Sequence, residues 1–90
     1  MDLKLAGRTY IVTGGARGLG RATLDVLVSE GANVVVSGRS AESLDEAARG
    51  HGAAVTTVVA DNADPTTPRR LIEAATGAFG RLDGALISVG

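Results

Sequence analysis

The chain alternates short runs of β-branched residues with segments of helical spacing, and this alternation restricts its fold more than any other feature of the sequence. Each apolar run is too short for a helix and is bounded by glycine or polar residues, as buried strands are. Four strands are therefore predicted, at residues 9–12, 33–37, 54–60 and 82–89.

The segments between the strands have apolar residues at helical intervals, so one helix is predicted in each segment. The expected starts are Gly18, the Ser40 cap, and either Asp64-Pro65 or Thr67-Pro68. The resulting β-α-β-α-β-α-β order predicts an α/β fold, because parallel strands joined by right-handed crossovers form a doubly wound open sheet with helices on both faces.

Length and charge exclude several classes of protein. With 90 residues and a net charge of −1, the chain is too short for two domains and has no basic stripe for nucleic acid or anionic lipid. It has no cysteine for disulfides or thiolate metal sites, and no apolar run of the about 18 residues that cross a bilayer. His51, the single histidine, is expected to be a solvated loop residue, and no metal site is predicted. We expect a cytoplasmic protein without a nucleic-acid or membrane partner.

A glycine-rich loop joins the first strand to the first helix and reads Thr13-Gly14-Gly15-Ala16-Arg17-Gly18-Leu19-Gly20. The N–H groups at a helix start, together with the helix dipole, favour a bound phosphate. In this interpretation Gly14 permits the turn, Gly18 permits the approach of a pyrophosphate, and Gly20 permits close packing of the helix on the sheet. The spacing is neither Gly-x-Gly-x-x-Gly nor that of a Walker A loop. A purely structural turn is the alternative.

The loop and its setting resemble the short-chain dehydrogenase/reductase family, whose variant loop is Thr-Gly-x-x-x-Gly-x-Gly. The match consists of Thr13, Gly14, Gly18 and Gly20, placed between a strand and a helix. The resemblance implies a Rossmann-like sheet of order 3-2-1-4, incomplete relative to the family fold. It also implies an oxidoreductase that transfers hydride between a nicotinamide cofactor and a small carbonyl or alcohol substrate. Residues 1–90 would then form a single dinucleotide-binding region within a longer domain.

The resemblance implies cofactor contacts outside the loop as well. Asp61, followed by Asn62, occupies the place of a family Asp that contacts adenine, with an Asx turn as the structural alternative. The family's Asn-Asn-Ala-Gly motif aligns with residues 87–90, where only Gly90 agrees. The expected cofactor-binding residues are Gly14, Ala16, Arg17, Gly18, Leu19, Gly20, Arg39, Asp61, Asn62, Ser88 and Gly90.

The catalytic residues of the family fall outside the resemblance. Its catalytic Ser and Asn and its Tyr-x-x-x-Lys pair lie beyond the point where this chain stops, and Tyr10 is followed four residues later by Gly14 rather than Lys. No catalytic residue is therefore assigned, and the 90-residue chain alone is expected to be inactive. The alternative is a non-catalytic nucleotide-binding or interaction module of the Rossmann type.

The end of the second strand bears on the choice of cofactor. NAD-preferring dinucleotide folds place an acidic residue there, but here that place is Gly38 and no carboxylate occurs from Asn33 to Ala41. Arg39 follows immediately and Arg17 lies in the glycine loop. NADP-preferring members of the resembled family use basic residues at both places, so NADP(H) rather than NAD(H) is expected, although a solvated surface role remains open for Arg39.

By the same resemblance, the fourth strand lies at an edge of the sheet. This edge carries Leu86, Ile87 and Val89, and an unpaired apolar edge tends to pair with another chain. Self-association through this edge is expected.

Overall fold

A computed structural model of the chain describes residues 4–16 and 18–87. Within these residues the predicted β-α-β-α-β-α-β order is confirmed. The elements are β1 Thr9–Thr13, α1 Gly18–Ser29, β2 Asn33–Gly38, α2 Ala41–Ala48, β3 Val55–Val59, α3 Thr67–Phe79 and β4 Gly84–Leu86, with a short 3-10 helix, Gly52–Ala54, before β3.

The four strands form one parallel sheet in the order β3-β2-β1-β4, which confirms the predicted order. The pairing of β1 with β2 runs from Thr9 opposite Asn33 to Thr13 opposite Ser37. The chain moves from β1 to β2 and β3 on one side, and then crosses to β4 on the other. The carboxyl end of β1 therefore lies at the topological switch point, where ligands bind in open α/β sheets.

The central strands β1 and β2 are buried on both faces of the sheet, to which successive side chains of a strand point in turn, whereas β3 and β4 are only partly buried. Helices α1 and α2 cover one face and α3 covers the other, as predicted. Burial on both faces explains why β1 and β2 are continuous apolar runs rather than alternating ones. The first face buries Val12, Leu24, Val34, Val36, Leu44 and Ala47, and the second buries Ile11, Val35, Leu71 and Ala75.

The bounds of β4 differ from the prediction, and the start of α3 is one of the two that were predicted. The fourth strand was predicted at residues 82–89, whereas β4 spans only Gly84–Leu86. At the start of the strand, Asp83 bonds to Thr9 of β1 through its carboxylate as well as its backbone, so regular pairing begins after it. At the other end, residues 88–90 lie outside the described residues. The third helix begins at Thr67, with Pro68 in its first turn.

His51 is a loop residue, as predicted, but it is partly buried and has a side-chain partner that the sequence did not reveal. Its Nε2 lies 3.1 Å from Oδ1 of Asp25 on α1, and its side chain is 21% exposed. The sequence placed His51 correctly in the turn after α2, but the contact with α1 depends on both helices packing on the same face of the sheet.

Candidate functional site

The glycine loop is fastened to the end of the neighbouring strand. The N–H groups of Gly14 and Gly15 both donate to the carbonyl oxygen of Ser37, at 2.9 and 3.3 Å. Ser37 is also the β2 partner of Thr13 in the sheet. The loop therefore continues the β1–β2 pairing beyond the strand, which fixes the start of α1 at the switch point.

Two loop glycines have backbone conformations that other residues rarely adopt. Gly14 has φ +67° and Gly18 has φ +55°, both in the left-handed region. The value at Gly14 agrees with its predicted role in the turn. A Cβ placed on Gly18 would meet no atom within 4 Å, so this glycine borders open space rather than packed protein. The backbone at Gly18 is thus open to the approach of a ligand.

Gly20 was predicted to allow close packing of α1 on the sheet, but it packs against the glycine loop instead. A Cβ at this position would lie 2.5 Å from the carbonyl oxygen of Gly14 and 3.0 Å from Cα of Gly15. These atoms are backbone and cannot rotate away. The close approach that Gly20 permits is between the first turn of α1 and the loop that precedes it.

Gly15 was not among the predicted site residues, yet the loop requires a glycine there. A Cβ on Gly15 would overlap Cγ2 of Val36 and lie 3.3 Å from Cγ1 of Val12. Gly15 is buried over these two strand residues. The sequence signal that could have identified this position is the pair Gly14-Gly15, because the family loop requires a glycine only at the first of the two.

The first turn of α1 is suited to an anion. The N–H groups at a helix start have no intrahelical acceptor, and the dipole adds partial positive charge. The first turn contains no acidic side chain in the described chain, so no neighbouring carboxylate competes for these donors. Leu19 beside them is 74% exposed, and Ala16 is half-buried in the loop. The predicted residues Arg17, Ser88 and Gly90 lie outside the described residues.

Arg39 lies at the same edge of the sheet as the loop, in the short connection between β2 and α2. Its side chain is exposed. Ser40, the next residue, caps α2 through Oγ, which accepts from the N–H of Ser43 at 3.2 Å, as predicted for this cap. Since the ends of β1 and β2 are paired neighbours, Arg39 and the glycine loop follow adjacent strand ends.

Asp61 forms the Asx turn that was its structural alternative. Its Oδ1 accepts from the N–H of Ala63 at 2.9 Å, and its carbonyl oxygen accepts from Oγ1 of Thr67 at 2.6 Å. The first bond closes the turn within the loop after β3, and the second joins this loop to α3, while Asp61 remains exposed. Asn62 lines the same cavity as Thr13, so the loop after β3 reaches the end of β1.

This cavity is a groove of about 290 Å³ between α3 and β4. Most of its described lining is apolar, and three of these residues, Ile72, Leu82 and Ile87, are 47%, 37% and 63% exposed. The full lining is Ile11, Thr13, Asn62, Thr67, Pro68, Leu71, Ile72, Leu82, Ala85 and Ile87. The groove borders the site without adding a charged group to it.

Two carboxylates have perturbed acidity, and both have structural partners. Asp64 accepts hydrogen bonds from the backbone N–H and the hydroxyl of Thr66, both at 2.8 Å. These bonds lower the pKa of Asp64, and the N–H has the larger effect. Arg81, followed by the N–H of Thr9, lowers the pKa of Asp83.

Over residues 4–16 and 18–87, the structure contains no cluster of His, Asp and Glu able to hold a metal ion. No helix in that part of the chain has the length and apolar character to cross a membrane.

The parallel sheet and the glycine loop at its switch point define the dinucleotide-binding class of α/β proteins, in which a pyrophosphate lies at the start of the first helix. The family model described as short chain dehydrogenase matches residues 8–90. The chain therefore belongs to the short chain dehydrogenase family, whose members are oxidoreductases that bind nicotinamide cofactors.

Relatives with assigned activities share this region. The chain is 38% identical over 88 residues to cis-2,3-dihydrobiphenyl-2,3-diol dehydrogenase of Paraburkholderia xenovorans, covering 98% of this chain and 32% of the relative. It is 40% identical over 81 residues to cis-toluene dihydrodiol dehydrogenase of Pseudomonas putida, covering 90% and 30%. The chain thus spans about a third of the length of the curated relatives it matches.

Solved structures agree with the fold. The apo-form of glucose dehydrogenase of Caenorhabditis elegans matches with a TM-score of 0.89 and 33% identity, over 97% of this chain and 39% of the other. A second C. elegans short-chain dehydrogenase/reductase, of unknown function and solved with cofactor, matches with a TM-score of 0.85 and 32% identity, over 91% and 32%.

Proposed function

We propose that residues 1–90 are the NADP(H)-binding part of an oxidoreductase that interconverts a small alcohol and the corresponding carbonyl compound. The observation that carries this proposal is the open, left-handed backbone of Gly18 at the start of α1, at the switch point of the sheet. The nicotinamide ring of such a cofactor supplies a hydride for carbonyl reduction or accepts one in alcohol oxidation. The chain's own residues bind and orient the cofactor.

The residues around the loop fit a dinucleotide. The N–H groups in the first turn of α1 would hold the pyrophosphate, and the open space at Gly18 leaves room for its approach. Asp61 and Asn62, after β3, would contact the adenine. The remaining contacts are assigned to Gly14, Ala16, Leu19 and Gly20 in the loop region, to Arg17 and Arg39 at the 2′-phosphate, and to Ser88 and Gly90 at the nicotinamide end.

The end of β2 favours the phosphorylated cofactor. An acidic residue there would accept hydrogen bonds from the adenosine ribose and repel a 2′-phosphate, but β2 ends in Gly38. Arg39 is exposed beside it, and its guanidinium can donate bidentate hydrogen bonds to a phosphate. NADP(H) is therefore the proposed cofactor.

The substrate and the proton-transfer groups are proposed from the relatives. Both relatives described above are named as dehydrogenases of cyclic diols, so a secondary alcohol or its ketone is the proposed substrate class. Tyr10 has no Lys four residues later, so the acid–base pair is proposed to come from further residues of a longer protein.

The test is a titration of NADPH and NADH against the wild-type protein and two alanine variants. Gly18→Ala is expected to weaken the binding of both cofactors by roughly 10-fold or more, because a Cβ fills the space that the pyrophosphate needs. Gly52→Ala is the matched control, since Gly52 has φ +62° and an equally open Cβ position but lies before β3. If Gly18→Ala binds both cofactors as tightly as the wild type, or if both variants lose the same affinity, the proposal is contradicted.

A further inference from the structure

Thr67, the first residue of α3, bonds through its hydroxyl to the loop that precedes the helix. Its Oγ1 donates to the carbonyl oxygen of Asp61 at 2.6 Å, and the residue is 3% exposed. Threonine hydroxyls within a helix commonly bond to a carbonyl of the preceding turn. Thr23 and Thr76 do so, each with the carbonyl four residues earlier in its own helix. The Thr67 bond instead leaves its helix and reaches the loop after β3.

Arg70, one turn further along α3, bonds to the end of β3. Its Nη2 donates to the carbonyl oxygen of Val59 at 2.9 Å. Residues three apart on a helix are neighbours on its surface, so Thr67 and Arg70 reach this part of the chain from the same side of α3. Between the two accepting residues lies Ala60, whose N–H donates to the carbonyl oxygen of Gly38 at 2.9 Å. The exit of β3 is thus fixed by α3 and by β2.

Thr67 also holds the far end of the turn that follows this exit. Within the turn, the carbonyl oxygen of Asp61 accepts from the N–H of Asp64 at 3.0 Å, and Oδ1 of Asp61 accepts from the N–H of Ala63. The carbonyl oxygen of Asp64 accepts from the N–H of Thr67 at 3.1 Å. Thr67 therefore holds the end of the turn with its backbone and the start with its side chain. Loss of the hydroxyl would release only the start, where Asp61 and Asn62 lie.

We infer that Thr67 is a positioning residue for the adenine ring of the cofactor, supported by Arg70. The inference rests on the proposed function, in which Asp61 and Asn62 contact the adenine. A carboxylate accepts hydrogen bonds, and the exocyclic amino group of adenine donates them. Such a contact requires its groups to be held within about 0.5 Å of the productive geometry. Thr67 acts through the turn, because its buried hydroxyl is directed to the carbonyl oxygen of Asp61.

The test compares NADPH with the analogue in which hypoxanthine replaces adenine. The analogue has the same phosphates, but a carbonyl oxygen takes the place of the amino group. The ratio of the two dissociation constants therefore isolates the adenine contact, whereas a general loss of structure weakens both ligands alike. A hydrogen bond to a charged group is worth about 10-fold or more in affinity, so the wild type is expected to prefer NADPH by roughly 10-fold.

Variants at Thr67 separate the hydroxyl from the shape of the side chain. Thr67→Val removes the hydroxyl and is expected to lower the preference for NADPH to about 3-fold or less. Thr67→Ser keeps the hydroxyl and is expected to keep the wild-type preference. Thr76→Val is the matched control, because the Thr76 hydroxyl also bonds to a backbone carbonyl, but that bond stays within α3. This control is expected to show the wild-type preference.

Arg70→Met covers the case in which Thr67→Val does not fold, because Arg70 is exposed. It removes the bond to Val59 and is expected to lower the same preference by a smaller factor than Thr67→Val. Arg69→Met removes an equal charge at the neighbouring exposed position and is expected to leave the preference unchanged. If Thr67→Val does not fold and Arg70→Met keeps the full preference, the inference is overturned.

The outcomes distinguish the inference from the proposed function. If the wild type prefers NADPH and a folded Thr67→Val keeps the full preference, the role of Thr67 is overturned and the proposed function stands. If the wild type binds neither ligand, the proposed function fails. If it binds both equally, the proposed adenine contact fails. In these last two cases the inference fails as well.

Discussion

The carboxylate of Asp83 accepts a hydrogen bond from the backbone N–H of Thr9 at 2.8 Å, and the N–H of Asp83 donates to the carbonyl oxygen of Thr9 at the same distance. These bonds join the start of β1 to the residue before β4, across 74 positions of sequence. Arg81 donates to the same carboxylate from Nε at 2.8 Å and from Nη2 at 2.6 Å. The Asp83 side chain thus adds to the backbone pairing that holds the edge strand β4 on β1.

This relationship predicts a loss of stability in acid. Arg81 and the Thr9 N–H lower the pKa of Asp83 below its usual value of 3.8, so the unfolded chain binds the proton more readily than the folded one. The contribution of Asp83 is therefore fully present above about pH 5 and is lost as the pH falls through the lowered pKa. Thermal unfolding at pH 7 and pH 3 is expected to show a smaller difference in Tm for Asp83→Asn than for the wild type. An equal difference in the two proteins would contradict this.

The contact between Gly15 and Val36 predicts a coupled pair of substitutions. Gly15→Ala should lower stability by about 1 to 3 kcal/mol through overpacking, or roughly 4 to 8 °C in Tm for each kcal/mol. Val36→Ala removes the methyl group that the new Cβ would overlap, so the double variant should lose less than the two single variants together. Gly77→Ala is the control, since Gly77 lies in α3 and its Cβ would meet no atom within 4 Å. A Gly15→Ala protein as stable as the Gly77→Ala control would refute the contact.

The helices and strands could be predicted because their signals are local. The β-branched runs, the Ser40 cap and the turn at Gly14 each depend on a few neighbouring residues. The contacts of Gly15 with Val36 and of Asp83 with Thr9 could not be predicted, because they join residues far apart in sequence that meet only after the strands pair. The same reason accounts for His51, whose partner lies on another helix.

The edge of the sheet leads us to propose self-association through β4. Among the described residues this strand pairs with β1 alone, and Ile87 beside it is 63% exposed. Light scattering of the 90-residue chain at high concentration is expected to give a mass above 9.0 kDa. Ile87→Lys should shift that mass towards the monomer, whereas Val26→Lys, at a 52% exposed position on α1, should not. A monomeric wild type would contradict the proposal.

Residues 1–90 alone are expected to show no dehydrogenase turnover. Positioned proton transfer contributes about 10² to 10⁴ in rate, and this chain has no Tyr-x-x-x-Lys pair to provide it. The measurement is the absorbance change of the nicotinamide cofactor with a panel of ketones and alcohols, against a blank without protein. Turnover well above the blank would show that other residues of the chain supply the chemistry.

The preference for NADP(H) is tested most directly by the dissociation constants of NADPH and NADH for the wild type, Arg39→Ala and Arg17→Ala. Each charge-assisted hydrogen bond to a phosphate is worth about 1.5 to 3 kcal/mol, so each substitution should weaken NADPH binding by roughly 10- to 150-fold. NADH binding should change far less, because NADH lacks the 2′-phosphate. Arg49→Ala, at an exposed arginine beyond the far end of α2, should change neither constant. A wild type that prefers NADH, or equal losses of both cofactors in Arg39→Ala and Arg17→Ala, would contradict the assignment.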